Sequence, residues 1–316
     1  MAVLSVVIAS YRREDLLREC LASIVRHSDM TQTEIVVVDD HSDEDAATVA
    51  MVRSEFPFVR LKVLEQNAGF GVANNLGVEA SSAPYVMLLN NDAVLLDDAG
   101  GSLVRFLDER PDVACVSPRI VLRNGARQPR VFGNLPSLWR VAMQSLGLGA
   151  LFPGVSILAG VDGQDRPEPV NGEVGWVSGV CMAMRRADFL EVGGFDPSFF
   201  MYCEDVDLCA RLSKRGRIVR LDDHPVLHLG GGVASSVERQ LRNALLQQRN
   251  LLKTVSKRSG RGASQAAAVL LSVGLALRIA AGLALVPKRG LKGNVLLRSS
   301  WLRILDLVRP LPLTAA

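Results

Sequence analysis

Three short apolar runs, Val3–Ile8, Ile35–Val38 and Tyr85–Leu89, each stop at a polar cluster: Ser10-Tyr11, Asp39-Asp40 and Asn90-Asn91-Asp92. Runs of this length, rich in β-branched residues and bounded by turn chemistry, read as strands buried on both faces. Helical patterns lie between them, the first carrying Leu16, Leu17, Cys20, Leu21 and Ile24 on one face, and Leu61–Leu64 supplies a further strand. Strands alternating with helices predict an α/β fold with a mostly parallel, doubly wound sheet. Such sheets bind ligands beyond the carboxyl ends of their strands, so the three clusters are expected to converge on one edge. From about Arg123 to Gly175 the chain is rich in Gly, Pro and Asn and reads as loops and short helices that could form part of a ligand cleft. Order returns at Trp176-Val177-Ser178-Gly179 and continues through a helix around Arg186–Val192 to an acid-rich stretch, Phe200–Leu208.

A chain of 316 residues with 48% hydrophobic content can bury one large core and carry an appendage. Charge locates the division. Residues 231–316 hold 14 Lys and Arg against Glu238 and Asp306, about +12, which leaves 22 basic against 31 acidic residues before them, about −9. The expected domains are therefore 1–230, catalytic, and 231–316, a basic helical tail whose partner is polyanionic. Ala263–Leu277 carries no charge; Arg278 follows, then the apolar Ile279–Val286, with basic residues on both sides. A central arginine disfavours a span, so a helix lying on an anionic membrane through residues 253–292 is the favoured reading, and a helix packed on the catalytic domain is the alternative. Nucleic acid is not an expected partner, and the tail equally suits organising homo-oligomers. The five cysteines lack metal or disulfide spacings and read as reduced, mostly buried thiols. No basic region precedes the first apolar run and no small-residue cleavage site follows it, so secretion is not expected.

Asp39-Asp40 at a strand end suits ribose hydroxyls or a base imide, and suits a turn equally. Asn67-Ala68-Gly69-Phe70-Gly71-Val72-Ala73-Asn74-Asn75 combines glycines that allow close backbone approach with amides that can reach phosphate or ribose. Its likeness to a dinucleotide fingerprint is weak, because Asn74 stands where the third glycine belongs and the segment follows a later strand. A carboxylate at Asp92 can hold a hard divalent cation bridging two phosphates. His228, or His224 nearby, could add a ligand. Glu204-Asp205-Val206-Asp207 crowds carboxylates beside aromatics, which raises at least one pKa as a general base requires, and also suits a helix start.

Taken together, SVVIASYRREDLLRECLASI, EIVVVDDHSDED, NAGFGVANNLG, YVMLLNNDAVLL, GWVSGVCMAMRRADFLEVGGFDPSFFMYCEDVDLCARL and VLHLGG resemble glycosyltransferase family 2, of GT-A fold, over about residues 3–232. The stretch from Gly175 to Leu212 is most similar to bacterial rhamnosyltransferases that extend polyprenyl-diphosphate-linked sugars. The resemblance implies an inverting transfer from a nucleotide-diphosphate sugar, best read as dTDP-rhamnose, to a lipid-linked or polysaccharide acceptor at the cytoplasmic face of the membrane, with Mn2+ or Mg2+. It further implies that Ser10, Tyr11, Asp39 and Asp40 hold the nucleoside and that Asn67, Gly69, Asn74, Asn75 and Asn91 line the donor site. Trp176, Ser178 and Gly179 would sit near sugar and acceptor, Asp92 and His228 would hold the metal, and Asp205, with Glu204 beside it, would be the base. One departure stands out: the usual Asp-x-Asp reads Asn90-Asn91-Asp92, which shifts more of the metal shell to water or diphosphate oxygens. UDP- or GDP-sugar donors, a nicotinamide oxidoreductase, and a catalytically silent family member in a membrane complex are the competing readings.

Overall fold

The computed structural model describes residues 2–42, 47–163, 171–230, 236–289 and 291–308. In chain order its strands are β1 (Leu4–Ser10), β2 (Thr33–Asp39), β3 (Arg60–Val63), β4 (Tyr85–Leu89), β5 (Ala93–Leu95), β6 (Val113–Ser117), β7 (Ile120–Val121), β8 (Phe132–Gly133), β9 (Gly172–Val174), β10 (Trp176–Val177), β11 (Cys181–Arg185), β12 (Arg217–Arg220) and β13 (Val226–His228). The helices are α1 (Glu14–His27), α2 (Ala47–Glu55), α3 (Phe70–Ala80), α4 (Ala99–Glu109), α5 (Leu138–Leu146), α6 (Leu148–Leu151), α7 (Arg186–Glu191), α8 (Glu204–Leu212), α9 (Val237–Arg289) and α10 (Leu291–Val308).

The chain divides into two compact units, Met1–Phe132 with Pro169–Gly232, and Gly133–Glu168 with Val233–Ala316. In the first, among the described residues, eight strands form one sheet in the order β3-β2-β1-β4-β11-β6-β12-β9. The pairs β1–β2, β1–β4, β2–β3 and β6–β12 are parallel, as the alternation predicts. β11 is the exception in the middle, antiparallel to both β4 and β6, and β9 is antiparallel to β12. Helices cover both faces, which is why Val6, Val7, Ile8, Val36, Val37, Met87 and Leu88 are all fully buried. α3 lies unusually close to the sheet because Gly77 has no side chain: a Cβ there would meet Val7 Cγ1 at 2.4 Å. A smaller sheet, β5-β13-β7, crosses the carboxyl edge and sets His228 opposite Ala93.

The second unit is helical. α5 joins the tail here, because Val141 and Val161 are buried in one cluster with Val255, Ala267 and Leu271. α9 is not one rod: Gly260, at φ 85°, breaks it into two arms that fold back on each other, and Ser264 Oγ donates to the Leu252 carbonyl across the turn at 2.9 Å. α10 packs along α9 through a buried Asp306 paired with Arg249, and Gln248 Nε2 donates to the Arg303 carbonyl at 2.9 Å. By length and composition alone Val237–Ala280 passes as a membrane-crossing helix, but the Gly260 break divides it into two shorter arms. Along the second arm Ala267, Leu271 and Leu275 are buried, whereas Val269, Val273 and Leu277 are exposed.

Candidate functional site

The carboxyl edge of the first unit's sheet gathers most of the polar residues singled out from sequence. At the end of β2 the Asp40 N–H donates to the Ser10 carbonyl (2.7 Å), tying β2 to β1. The Asp40 carboxylate then accepts the Ala68 N–H at Oδ1 (2.7 Å) and the Gly69 N–H at Oδ2 (2.9 Å). The buried Asp40 thus holds the glycine loop at the head of α3 in place. Asp39 performs a similar task on the other side, where its carboxylate accepts both the backbone N–H and the hydroxyl of Ser42, whose Oγ accepts the Arg12 N–H at 2.8 Å.

Gly69 is at φ +90°, and a Cβ there would lie 2.9 Å from both the Phe200 ring and its carbonyl oxygen. Gly69→Ala is therefore expected to cost at least about 1 kcal/mol of stability, through backbone strain and the displaced Phe200, and to weaken nucleotide binding. Chemical denaturation of the full chain, with titration of a nucleoside diphosphate, checks both.

The amides of the same loop divide by task. Asn67 Oδ1 is buried without a hydrogen-bond partner, as an atom reserved for a ligand would be. Asn74 is buried and donates Nδ2 to the Phe70 carbonyl (2.9 Å), inside its own helix. Asn75 uses its whole amide on Phe195, donating to its carbonyl and accepting its N–H, each at 2.8 Å. Asn75 thus fastens α3, whereas Asn74 Oδ1, like Asn67 Oδ1, is buried without a hydrogen-bond partner. Tyr11 is exposed at the rim with the Arg12 guanidinium 5.0 Å from its ring centroid, and Asn91 Nδ2 lies 3.3 Å from both Ser10 Oγ and the Arg12 carbonyl.

Asp92 and His228 are brought together by the small sheet, where the Leu229 N–H donates to the Asp92 carbonyl at 2.8 Å. His228 Nε2 lies 3.0 Å from Asp92 Oδ1, yet Oδ1 is buried and accepts no aligned hydrogen bond. On the far side of the ring, His228 Nδ1 is 2.7 Å from Gln128 Oε1. If Nδ1 donates to that oxygen, Nε2 is left to offer its lone pair on the side of the carboxylate. Two acceptors at this separation need positive charge between them, so the pair fits a divalent cation as two of its ligands. Gly230 leaves the space, since a Cβ there would meet Asp92 Oδ2 at 2.0 Å. Among the described residues no group of three or more His, Cys, Asp or Glu is arranged to hold a metal, so the remaining shell would come from diphosphate and water. His224 is elsewhere: its Nδ1 is 3.0 Å from Asp97.

Because β11 runs antiparallel, the residues preceding it, Ser178–Val180, reach the same edge. The Asn90 N–H donates to the Val180 carbonyl (3.0 Å), and the Gly179 N–H donates to Asp205 Oδ2 at 3.2 Å. The Asp205 Oδ1 accepts its helix neighbour's N–H, Val206, at 2.8 Å. Burial raises the Asp205 pKa, and these N–H bonds moderate the rise. Glu204 is pushed up further, by burial and then by the charge of Asp205, and its Oε2 is buried with no hydrogen-bond partner. Asp207, by contrast, is neutralised by Arg211, whose Nη2 is 2.8 Å away, so two of the three crowded carboxylates remain as acid–base candidates. Tyr202 and Cys203, at φ 68° and 64°, are consecutive left-handed residues at the head of α8, a strained entry that aims Glu204 and Asp205 inward. Trp176 is buried; Ser178 is partly exposed, and its N–H donates to the Val131 carbonyl at 2.8 Å.

Gln128 sits in no motif and is revealed only by its proximity to His228, while Ser42 and Phe200 lie inside motifs without a role until their contacts with Asp39 and Gly69 are seen.

The family model described as glycosyl transferase family 2 matches residues 5–193, and that of glycosyl transferase family 21 matches residues 170–290. An N-acetylglucosaminyl-diphospho-decaprenol L-rhamnosyltransferase of Mycobacterium tuberculosis is 33% identical over 72% of this chain and 76% of its own length. Rhamnosyltransferase WbbL of Escherichia coli K12 is 26% identical over 71% of this chain and 81% of its own. Among solved structures, GalNAc-T7 with UDP, GalNAc and Mn2+ superposes with TM-score 0.54 at 15% identity, covering 77% of this chain and 47% of that longer one. Staphylococcus aureus TarS gives the same TM-score and identity over 98% of this chain and 81% of its own, and both likenesses establish the GT-A fold. On these matches the chain belongs to glycosyltransferase family 2.

Proposed function

We propose that this glycosyltransferase moves L-rhamnose from dTDP-rhamnose to a hydroxyl of a lipid-linked or cell-envelope glycan, with inversion at the anomeric carbon. The observation that carries the reading is the placing of Asp205, a buried carboxylate of raised pKa, at the same sheet edge as Asp92 and His228. The names of the two rhamnosyltransferase relatives support the choice of sugar, and the diphospho-decaprenol in one of them supports a lipid-linked acceptor.

In this reading the glycine loop braced by Asp40 and the rim formed by Tyr11 hold the nucleoside, while Asn67 Oδ1 meets a donor group. Asp205 takes the proton of the acceptor hydroxyl as that oxygen bonds to the anomeric carbon. The bond from that carbon to the diphosphate oxygen breaks, and its electrons leave with the diphosphate. A single displacement from the opposite face inverts the centre. Asp92 and His228 would hold Mn2+ or Mg2+, which neutralises charge on the departing diphosphate. Burial raises both Glu204 and Asp205; the two N–H groups donated to Asp205 favour its ionised form, whereas Glu204 Oε2 has no such donor, so Asp205 is assigned as the ionised member of the pair. Gly179 orients the Asp205 carboxylate through its N–H.

The basic tail, residues 253–292, is read as holding the enzyme on the anionic cytoplasmic face of the membrane, where a lipid-linked acceptor resides. Donor identity is tested by thermal shift of the full chain against dTDP-rhamnose, UDP- and GDP-sugars, with Mn2+ and with chelator. The largest stabilisation is expected from dTDP-rhamnose with Mn2+. A larger one from a UDP- or GDP-sugar reassigns the donor, and no stabilisation by any of them leaves the silent-member reading standing.

A further inference from the structure

The helical unit carries an apolar surface that the bundle does not use. Between Leu138 and Ile157 the chain exposes Leu151 at 68%, Ile157 at 63%, Phe152 at 54% and Trp139 at 51%. These are not scattered singly. Trp139 Nε1 donates to the Ile157 carbonyl at 2.7 Å, and Arg140 Nη1 reaches the carbonyls of Ser156 (2.6 Å) and Ala159 (2.8 Å), so the segment is folded back against α5 and its apolar side chains are held outward. The second arm of α9 lies directly beside it. Gly274 lets the arm approach the Ser145 carbonyl so closely that a Cβ would sit 2.4 Å from that oxygen, and Arg278 Nη2 is 3.4 Å from the Gln144 carbonyl. That arm's outward ridge is Val269, Val273 and Leu277.

Charge identifies the occupant. Among the described residues of this unit the acids are Asp162, Glu238 and Asp306, and Asp306 is sealed in its pair with Arg249. Lys257, Arg258 and Arg261 are exposed around the Gly260 turn, and Arg278 is exposed on the ridge arm. An apolar surface with an exposed Arg278 beside it, in a unit whose arm carries further exposed cations at the Gly260 turn and few acids, is complementary to the interface of an anionic bilayer, where acyl chains lie below phosphate groups. The uncharged Ala263–Leu277 is about 22 Å long as a helix, short of the roughly 30 Å hydrocarbon core, and its other face is committed to the bundle. The arm therefore lies in the membrane plane.

We propose that Leu138–Ile157 is a membrane-dipping element that, with the Val269–Val273–Leu277 ridge, seats the helical unit in the interfacial layer of an anionic bilayer. This deepens the reading of a membrane-held tail and rests on it: the basic residues draw the chain to the surface, and the apolar segment inserts.

The test uses the full chain and vesicles of phosphatidylglycerol with phosphatidylcholine, and of phosphatidylcholine alone. Wild type is expected to co-sediment with the anionic vesicles. The double variant Leu151→Glu, Phe152→Glu is expected to bind at least about tenfold more weakly with unchanged circular dichroism, because both side chains are solvent-exposed and their loss leaves no cavity. In Trp301→Phe protein, whose other remaining tryptophan, Trp176, is buried in the first unit, lipids brominated near the headgroup are expected to quench the exposed Trp139. Vesicle binding by the double variant equal to wild type, with Trp139 unquenched, overturns the proposal while leaving the basic tail as the anchor. Absence of wild-type binding to either vesicle overturns both readings. A wild-type dimer that becomes monomeric in the double variant, by light scattering, assigns the surface to a second copy of the chain and overturns it too.

Discussion

Asp205→Asn is expected to lower kcat by at least about 10²-fold, because a positioned general base contributes roughly 10²- to 10⁴-fold and an amide cannot take the acceptor's proton. The donor's dissociation constant should not change, since the role proposed for Asp205 is toward the acceptor and not the donor. The contrast is Glu204→Gln, expected to keep most of the activity, because burial and the neighbouring charge already hold Glu204 protonated near neutrality. The pH profile separates the two. A base works only when ionised, so the rate falls as pH drops through the Asp205 pKa, and burial places that fall above the value of about 4 usual for an aspartate. The acid limb of kcat/KM should therefore lie above that value in wild type and persist in Glu204→Gln. Near-wild-type turnover by Asp205→Asn would remove the residue from the role.

Asp92→Ala should abolish metal-dependent donor binding and lower kcat/KM by at least about 10²-fold, since charge stabilisation by a metal is worth several kcal/mol and about 1.4 kcal/mol is a factor of ten. His228→Ala should act in the same direction with smaller effect, one of two protein ligands being left. Gly230→Ala offers an independent route to the same outcome, because the added methyl would meet Asp92 Oδ2 at 2.0 Å and push the carboxylate from its position without deleting it. Calorimetric titration of donor with Mn2+ and with chelator reads all three. Donor affinity that is the same in Asp92→Ala and wild type, under both conditions, would take the metal out of the mechanism.

The alternating strands were legible because they are buried on both faces, and a continuous apolar run ending in polar residues has few other folds available. Asp39, Asp40, Asp92 and Asp205 stood out for the same reason: each follows or precedes such a run. Less could be read of what each side chain touches. Nothing in the letters tells that both oxygens of Asp40 are taken by the N–H groups of Ala68 and Gly69, or that Asn75 clasps Phe195, because these partners are 28 and 120 residues away. The antiparallel sense of β11 was equally hidden, as its Cys-Met-Ala-Met pattern is buried whichever way it points. In the tail, the apolar run promised a helix, but Gly260 sits before it and α5 supplies its inner cover from more than a hundred residues upstream, so the turn and the packing were invisible locally.

The reversed polarity of β11 has a price in tolerance. The joint between the half of the edge that ends in Asn90 and the half that begins at Gly179 is a seam of backbone bonds whose alignment, Cys181 opposite Leu89 and Met182 opposite Leu88, is enforced only by how those side chains fill their niches. A one-residue slip would slide Gly179 by roughly 3.3 Å and exchange the layers into which Met182 and Met184 project. Substitutions of these fully buried methionines, distant in kind from any polar chemistry, should thus behave as lesions of alignment between leaving group and attacking oxygen.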